Sequence, residues 1–176
     1  MALQSTSANA AIPEMKAVQV SANAYFVQGL AALGSKENQN FISNAGFVVT
    51  PAGVVVIDAL GSPELARRLL VEIAKVTNKS IHTVVVTHYH ADHIGGSMMG
   101  HTIQGISSLL EECNVPIHVN ENEVPWVVRT TGLSEKDLVA HASGDIVTVG
   151  ELEIVLVHTP GHTPGSQCFL VNGCLV

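Results

Sequence analysis

The chain has 176 residues, of which 47% are hydrophobic and 13% are charged, and its net charge is −7 with the histidines counted as neutral. This length and composition fit one globular domain with a substantial core and exclude an intrinsically disordered chain. The eight Lys and Arg residues form no cluster, and no apolar run reaches the roughly 18 residues of a membrane span, so neither a nucleic acid nor a membrane is an expected partner.

The N-terminal residues differ in character from the rest of the chain. Residues 1–15 are small and polar and are predicted to form a disordered tail, followed by a single domain over residues 16–176. The tail has neither a basic n-region nor an apolar h-region, so it does not read as a signal peptide. A cytoplasmic protein is therefore favoured, and the polar start of a mature periplasmic protein is the alternative.

The first half of the domain is predicted to contain strands, a long loop and one helix. Four strands are expected at Ala17–Val20, Ala24–Gln28, Ala45–Thr50 and Val54–Asp58. The last two are joined by a Pro-Ala-Gly turn and indicate a hairpin, whereas Gly29–Asn40 is typical of a loop. Ser62 followed by Pro63 fits the cap and first position of a helix that continues to Val76.

The second half begins with a buried strand within the apolar run Ile81–Val86. An amphipathic helix is expected over Thr102–Cys113, and Asn120 with Glu123 three residues later fits the N-terminus of another helix, as does Ser134 with Asp137. The C-terminal third is predicted to be β-structure, with strands at Ile146–Val149, Ile154–His158, Gln167–Val171 and Cys174–Val176. Hairpins mixed with β-α-β crossovers predict an α/β sandwich with a mixed sheet.

Three histidines and a carboxylate directly follow the strand at 81–86. The segment reads Thr-His-Tyr-His-Ala-Asp-His over residues 87–93, so that a strand end and a turn can direct His88, His90, Asp92 and His93 into one small volume. Imidazole and carboxylate are the ligands that borderline-soft divalent metals prefer. The pattern therefore predicts a metal site rather than a solvated polar loop.

A fourth histidine, His162, lies in a Thr-Pro-Gly-His-Thr-Pro-Gly segment that joins two predicted strands. The Pro-Gly pairs on both sides constrain its backbone, and a histidine fixed in this way loses little further entropy when it binds a metal. Alone it is as compatible with a structural turn. Together with residues 88–93 it indicates a catalytic zinc, which commonly has three protein ligands and a water.

These two motifs, with Gly95-Gly96 after the first, resemble those of the metallo-β-lactamase-fold hydrolases, and the resemblance extends from about Ala24 to Val176. It implies an αβ/βα sandwich that binds one or two zinc ions, or other divalent metals such as iron or manganese. It also implies that His88, His90 and His162 hold the first metal, and that Asp92 and His93 contribute to the second. Asp58, which follows the early hairpin, would brace the metal loop.

One departure from this family concerns the C-terminal part of the pattern. In the family, the strand after the histidine turn leads to an aspartate that bridges the metals, and a last histidine follows much later; residues 172–176 stop short of that aspartate. The second half of the sandwich is therefore expected to be incomplete, as in a truncated product. Such a domain would expose an apolar sheet face through which copies could associate.

The expected function is hydrolysis of an acyl bond. A metal on three histidines can lower the pKa of bound water from 15.7 to about 7, giving a hydroxide that attacks a carbonyl, and Asp92 would orient it or transfer a proton. The resemblance favours small thioesters of the glyoxalase II type, with sulfur-oxidation-associated metallohydrolases a weaker match and β-lactams a further option. The alternatives are a flavodiiron-type oxidoreductase, which would need an acidic ligand in place of His90, a metal-dependent nuclease, and a zinc-binding fragment with impaired catalysis.

Overall fold

Two β-sheets and a layer of helices organise the computed structural model of the chain, which describes residues 14–98, 101–103 and 105–175. The strands are β1 (Ala17–Gln19), β2 (Ala24–Val27), β3 (Ala45–Thr50), β4 (Gly53–Ile57), β5 (Ile81–Val85), β6 (Gly96–Met98), β7 (His101–Ile103), β8 (Ile117–Asn120), β9 (Leu138–His141), β10 (Ile146–Val149), β11 (Leu152–His158), β12 (Gln167–Val171) and β13 (Cys174–Leu175). The helices are α1 (Pro63–Val76), α2 (Ala91–Ile94), α3 (Gly105–Cys113) and α4 (Val124–Thr131).

The larger sheet has seven strands in the order β1-β2-β3-β4-β5-β8-β9. Strands β1 to β4 pair antiparallel, whereas β4, β5, β8 and β9 pair parallel. Parallel neighbours need long crossovers, and α1 and α3 provide two of them. The mixed-sheet α/β class predicted from the sequence is confirmed, and the ends of β5 and β8 lie at the same edge because both strands run in the same direction.

The second sheet contains four antiparallel strands in the order β10-β11-β12-β13. One hydrophobic core lies between the helices and the seven-stranded sheet and includes Leu65 and Leu69 of α1 and Ile106 and Leu109 of α3. A second core joins the two sheets and includes Phe169 of β12. The described part of the chain is thus layered as helices, seven-stranded sheet and four-stranded sheet.

Local differences from the sequence expectations occur where tertiary contacts decide the backbone. Residues 1–13 of the predicted tail lie outside the described residues, and Met15, the last residue of the predicted tail, is buried in the first core. Helix α3 begins at Gly105, after the strand β7, rather than at Thr102. Asn120 is the last residue of β8, and it does not cap α4, which begins at Val124.

The outward side of the four-stranded sheet carries apolar side chains that the rest of the described chain leaves open. Ile146 is 49% exposed and Leu170 is 37% exposed. None of the helices described is both long enough and apolar enough to cross a membrane.

Candidate metal centre

Three histidines from two distant segments meet at the edge where β5 ends. His88 and His90 follow β5 directly, and His162 lies in the loop between β11 and β12. Within the described residues, one potential ligand atom from each of the three lies within 4.8 Å of the others. The ring centroids are 4.8 Å apart for His88–His90 and His88–His162, and 4.5 Å apart for His90–His162. These three imidazoles could together hold one metal ion.

The hydrogen bonds around His88 leave one of its ring nitrogens free. The hydroxyl of Thr87 donates to Oδ2 of Asp58 at 2.7 Å, and its oxygen lies 2.9 Å from Nδ1 of His88. Because the single hydroxyl proton is used on the carboxylate, Nδ1 of His88 must be the donor to Thr87. Nε2 is then the unprotonated nitrogen, and it is buried without a hydrogen-bond partner. A buried lone pair without a donor is what a metal ligand requires, so the site fits a cation.

The electrostatics of the cluster keep its central rings neutral. The pKa of His88 is lowered to about 4, chiefly by burial and then by the neighbouring His93, with smaller effects of His90 and His162, and the charge of Asp58 opposes this shift. Burial also lowers the pKa of His90, with the proximity of His162 as the next cause. Because only a neutral imidazole can donate its lone pair to a metal, both rings are in the binding form at neutral pH.

Asp92 and His93 lie beside this trio rather than in it. Both belong to α2, and Nε2 of His93 lies 3.7 Å from Oδ2 of Asp92. Nδ1 of His93 is engaged by Asp58 at 2.7 Å. Burial lowers the pKa of His93, but the hydrogen bond and charge of Asp58 and the charge of Asp92 outweigh it, so the pKa is raised. The structure therefore brings the five predicted residues together as a trio and an adjacent pair.

The loop that carries His162 is held at both of its ends. The backbone N–H of Thr159 donates to the carbonyl of Ser166 at 2.8 Å, and Nε2 of His158 donates to the carbonyl of Pro164 at 2.8 Å. The loop is joined to the other histidine segment by Gln167, whose backbone N–H donates to the carbonyl of Thr87 at 3.0 Å. His162 itself remains exposed, which leaves one side of the trio open.

The family model of the metallo-beta-lactamase superfamily matches residues 39–174 of the chain. This range includes every residue of the trio and of the adjacent pair. The chain belongs to the metallo-beta-lactamase superfamily. The resemblance found in the sequence motifs is thereby confirmed, and members of this superfamily are metal-dependent hydrolases.

Three proteins similar to this chain illustrate the superfamily. A hydroxyacylglutathione hydrolase from Idiomarina loihiensis is 33% identical over 99 residues, which are 56% of this chain and 32% of that protein. An atrochrysone carboxyl ACP thioesterase from Pseudocercospora fijiensis is 26% identical over 118 residues, or 67% of this chain and 30% of that protein. The solved structure of MEM-A1, a subclass B3 metallo-beta-lactamase from a soil metagenome library, matches with a TM-score of 0.67 and 23% identity.

The chain spans only part of the length of these proteins. The structural match includes 94% of this chain but 61% of the MEM-A1 chain, and the sequence matches include about a third of each of the other two proteins. At 23% identity the MEM-A1 structure supports the fold alone.

Glu123 of this metallo-beta-lactamase-fold domain is a site residue that the sequence analysis missed. Its side chain is 1% exposed and lies directly before α4, and its carboxylate reaches both histidine segments. The local sequence pattern indicates only a helix start, with Asn120 as the cap and Glu123 three residues later. Such a pattern does not reveal contacts with residues 34 to 42 positions away. Its position at the end of β8, next to β5, was the available indication.

A second pair of histidines lies outside the metal centre. Nδ1 of His118 lies 2.7 Å from Nε2 of His141 across the parallel strands β8 and β9, and Nδ1 of His141 lies 3.4 Å from Oδ2 of Asp145. The pKa of His118 is lowered to about 4, first by burial and then by proximity to His141 and to His82. Among the described residues, His118, His141 and Asp145 do not form a group whose ligand atoms converge on one metal position, so we interpret the histidine pair as a structural hydrogen bond.

Proposed function

We propose that this chain is a zinc-dependent hydrolase of acyl bonds, with thioesters of small molecules as the leading substrate class and His88, His90 and His162 as the zinc ligands. The observation that carries the proposal is the buried, unpartnered Nε2 of His88 within a trio of histidines. Three protein ligands with one open side are the arrangement of a catalytic rather than a structural zinc site.

The donor set supports zinc over harder cations. Imidazole nitrogens suit zinc and other late first-row metals, whereas magnesium and calcium prefer oxygen ligands. Zinc held by three protein ligands acts as a Lewis acid and activates water at neutral pH. Iron and manganese remain candidates when Asp92 and His93 contribute to a second ion.

We propose that Asp92 is the general acid–base residue of the reaction. Its side chain is 23% exposed, its Oδ2 lies 3.7 Å from Nε2 of His93, and its charge opposes the lowering of the pKa of His90. A carboxylate in that position can orient a water by accepting its proton and can return the proton to the leaving group. The backbone carbonyl of Asp92 accepts a hydrogen bond from the hydroxyl of Ser43, so the backbone that carries the carboxylate is fixed.

An aromatic pair next to His90 favours an acyl substrate with an apolar portion. The ring of Tyr89 stacks on Trp126 with centroids 5.3 Å apart, and its edge contacts His90. Trp126 is 37% exposed and offers an aromatic surface beside the trio. Two relatives of the chain are named for acylglutathione hydrolysis and for a thioesterase, which supports the thioester class.

Metal analysis tests the first part of the proposal. Protein purified after zinc supplementation should contain about one tightly bound zinc per chain, and His162→Ala should lose it. The matched control is His82→Ala, which removes an exposed histidine of β5 outside the cluster and should retain the zinc. Wild-type protein without zinc, or equal zinc loss in both variants, would refute the proposed site.

A substrate panel tests the second part. Release of free thiol from acylglutathione and acyl-carrier thioesters is compared with the hydrolysis of a β-lactam and of a phosphodiester, using the same zinc-loaded preparation. We expect thioesters to be cleaved fastest and His162→Ala to abolish the reaction. Preferential cleavage of the phosphodiester would favour the nuclease alternative, and preferential cleavage of the β-lactam would replace the proposed substrate class.

A further inference from the structure

Glu123 holds together the two segments that carry the histidines. Its Oε2 accepts the backbone N–H of Tyr89 at 2.7 Å, and its Oε1 accepts the hydroxyl of Thr163 at 2.9 Å and the backbone N–H of Gly165 at 2.7 Å. Tyr89 lies between His88 and His90, and Thr163 follows His162 directly. One buried carboxylate is therefore bonded to the immediate neighbours of all three histidines.

We infer that Glu123 is a positioning residue for the metal centre: it fixes the two histidine segments relative to each other before a cation binds. This inference rests on the proposed metal site. It assigns no contact between Glu123 and the cation. It states that the carboxylate sets the separation of the ligands through the backbone of Tyr89 and the loop of His162.

The role is distinct from helix capping. Glu123 occupies the position before α4, but its side chain makes no hydrogen bond to the N-terminal N–H groups of that helix. The carboxylate is used entirely on partners 34 to 42 residues away in sequence. A residue whose purpose was to begin α4 would instead direct its oxygens to the first turn.

The contacts require both terminal atoms of the Glu123 side chain, Oε1 and Oε2, to be hydrogen-bond acceptors. Three donors converge on two oxygens, and a carboxylate can accept all three because it carries no proton to compete. A glutamine in the same place has one oxygen and one NH2 group, so at least one of the buried N–H groups would face another donor. Glu123→Gln therefore changes the bonding at the site although it hardly changes the volume.

The loop of His162 also packs directly against Glu123. A Cβ placed on Gly165 would lie 2.6 Å from Cγ of Glu123 and 2.9 Å from its backbone nitrogen. Thr163 is 4% exposed and its hydroxyl also lies 2.7 Å from Oγ of Ser166, where the serine donates because the threonine proton goes to Glu123. The loop thus lies directly on the carboxylate, with no space for a bridging water at Gly165.

The test compares Glu123→Gln with a buried carboxylate elsewhere. Glu72 of α1 is 7% exposed and bonds to the backbone N–H of Ala17 and to Lys75, far from the histidines, so Glu72→Gln is the matched control. Zinc affinity is measured by competition with a chelator, the ligand field by the visible spectrum of the cobalt-substituted protein, and stability by thermal unfolding of the metal-free protein.

We expect Glu123→Gln to weaken zinc binding by about 10- to 100-fold, the usual effect of losing a partner that orients ligands, and to shift the cobalt spectrum. Glu72→Gln should lower the unfolding temperature while leaving both metal readouts at the wild-type values. Thr163→Val removes one of the three hydrogen bonds with little change in side-chain volume. It should weaken zinc binding by a smaller factor, and this keeps the inference testable if Glu123→Gln does not fold.

Two results would overturn the inference in different ways. Wild-type zinc affinity and an unchanged cobalt spectrum in Glu123→Gln, or in Thr163→Val when only that variant folds, would show that the carboxylate stabilises the fold without positioning ligands. A wild-type protein that binds no zinc would instead refute the proposed metal site, and the inference with it.

Discussion

Nδ1 of His93 lies 2.7 Å from Oδ2 of Asp58, and the same carboxylate accepts the backbone N–H and the hydroxyl of Thr87. Asp58 is 2% exposed and adopts a positive φ of 58° directly after β4, a conformation that Asp tolerates better than most residues. The carboxylate therefore orients His93 directly and orients His88 through the hydroxyl of Thr87.

Replacement of Asp58 by asparagine should disturb both rings. One end of the amide becomes a donor. Its NH2 group would face either the backbone N–H of Thr87, which bonds to Oδ1, or Nδ1 of His93 and the hydroxyl of Thr87, which both bond to Oδ2. In the second orientation the tautomer of His88 is no longer fixed. We expect zinc affinity to fall by about 10- to 100-fold and the free energy of unfolding of the metal-free protein to fall by about 1–3 kcal/mol. Chelator competition measures the zinc affinity, and urea unfolding measures the free energy of unfolding. A variant in which neither quantity changes would contradict this assignment.

Asp92→Ala is expected to separate turnover from metal content. Because Asp92 lies outside the histidine trio, the zinc on the trio should remain, whereas loss of the proton-transferring group should slow turnover by about 100-fold or more. Metal analysis gives the zinc content, and the rate of thiol release from the best substrate of the panel gives the turnover. Asp145→Ala, which changes a half-exposed carboxylate at the remote histidine pair, is the control; zinc loss in Asp92→Ala equal to that in His162→Ala would make Asp92 a ligand of the first metal instead.

Gly165→Ala should destabilise the protein through overpacking. The added Cβ would lie under 3 Å from Cγ and the backbone nitrogen of Glu123 and from Oδ1 of Asn120. We expect a loss of about 1–3 kcal/mol in the free energy of unfolding. Gly46→Ala is the graded comparison, since its nearest contact, the carbonyl of Tyr25, is at 3.2 Å. A Gly165 variant as stable as the Gly46 variant would show that the loop can move away from Glu123.

The remote histidine pair should make stability depend on pH. The pKa of His118 is lowered from 6.5 to about 4 in the folded chain, so the unfolded chain binds the proton first as the pH falls. Stability is therefore present above pH 6.5 and is lost progressively between pH 6.5 and about 4.

His118→Asn should remove this part of the pH dependence, because asparagine does not titrate. Urea unfolding of the metal-free protein between pH 7 and pH 4.5 gives the slope for each chain. Replacement of His82, the smallest of the three causes of the shift, by asparagine should reduce the slope much less than His118→Asn. A His118→Asn protein whose stability falls as steeply as that of the wild type would contradict the pKa shift.

The sequence was most informative where function and local structure coincide. Residues 88–93 and His162 could be placed near one another because a catalytic zinc commonly has three protein ligands and because the two motifs together resemble those of the metallo-β-lactamase-fold hydrolases. The helix Pro63–Val76 was also predictable, because Ser62 caps it through a side-chain bond to the N–H of Leu65 at 3.2 Å. Both predictions depend on patterns within a few residues.

The supporting contacts could not be predicted in the same way. Glu123 and Asp58 each act on partners about 30 to 40 residues away, and only the packed sheet brings them within hydrogen-bond distance. The turn before α4 shows the consequence: Asn120 and Glu123 fit a local helix start, but Asn120 ends β8 and Glu123 bonds to the histidine segments instead. Tertiary contacts outweighed the local preference.

The three histidines come from different layers of the molecule: His88 and His90 follow a strand of the seven-stranded sheet, and His162 connects two strands of the four-stranded sheet. A cation shared by them would cross-link the layers, and at a free concentration 100 times its dissociation constant it would add about 2.7 kcal/mol to folding stability. Resistance to proteolysis would then follow the supply of metal in the surroundings, so that starved chains are degraded first.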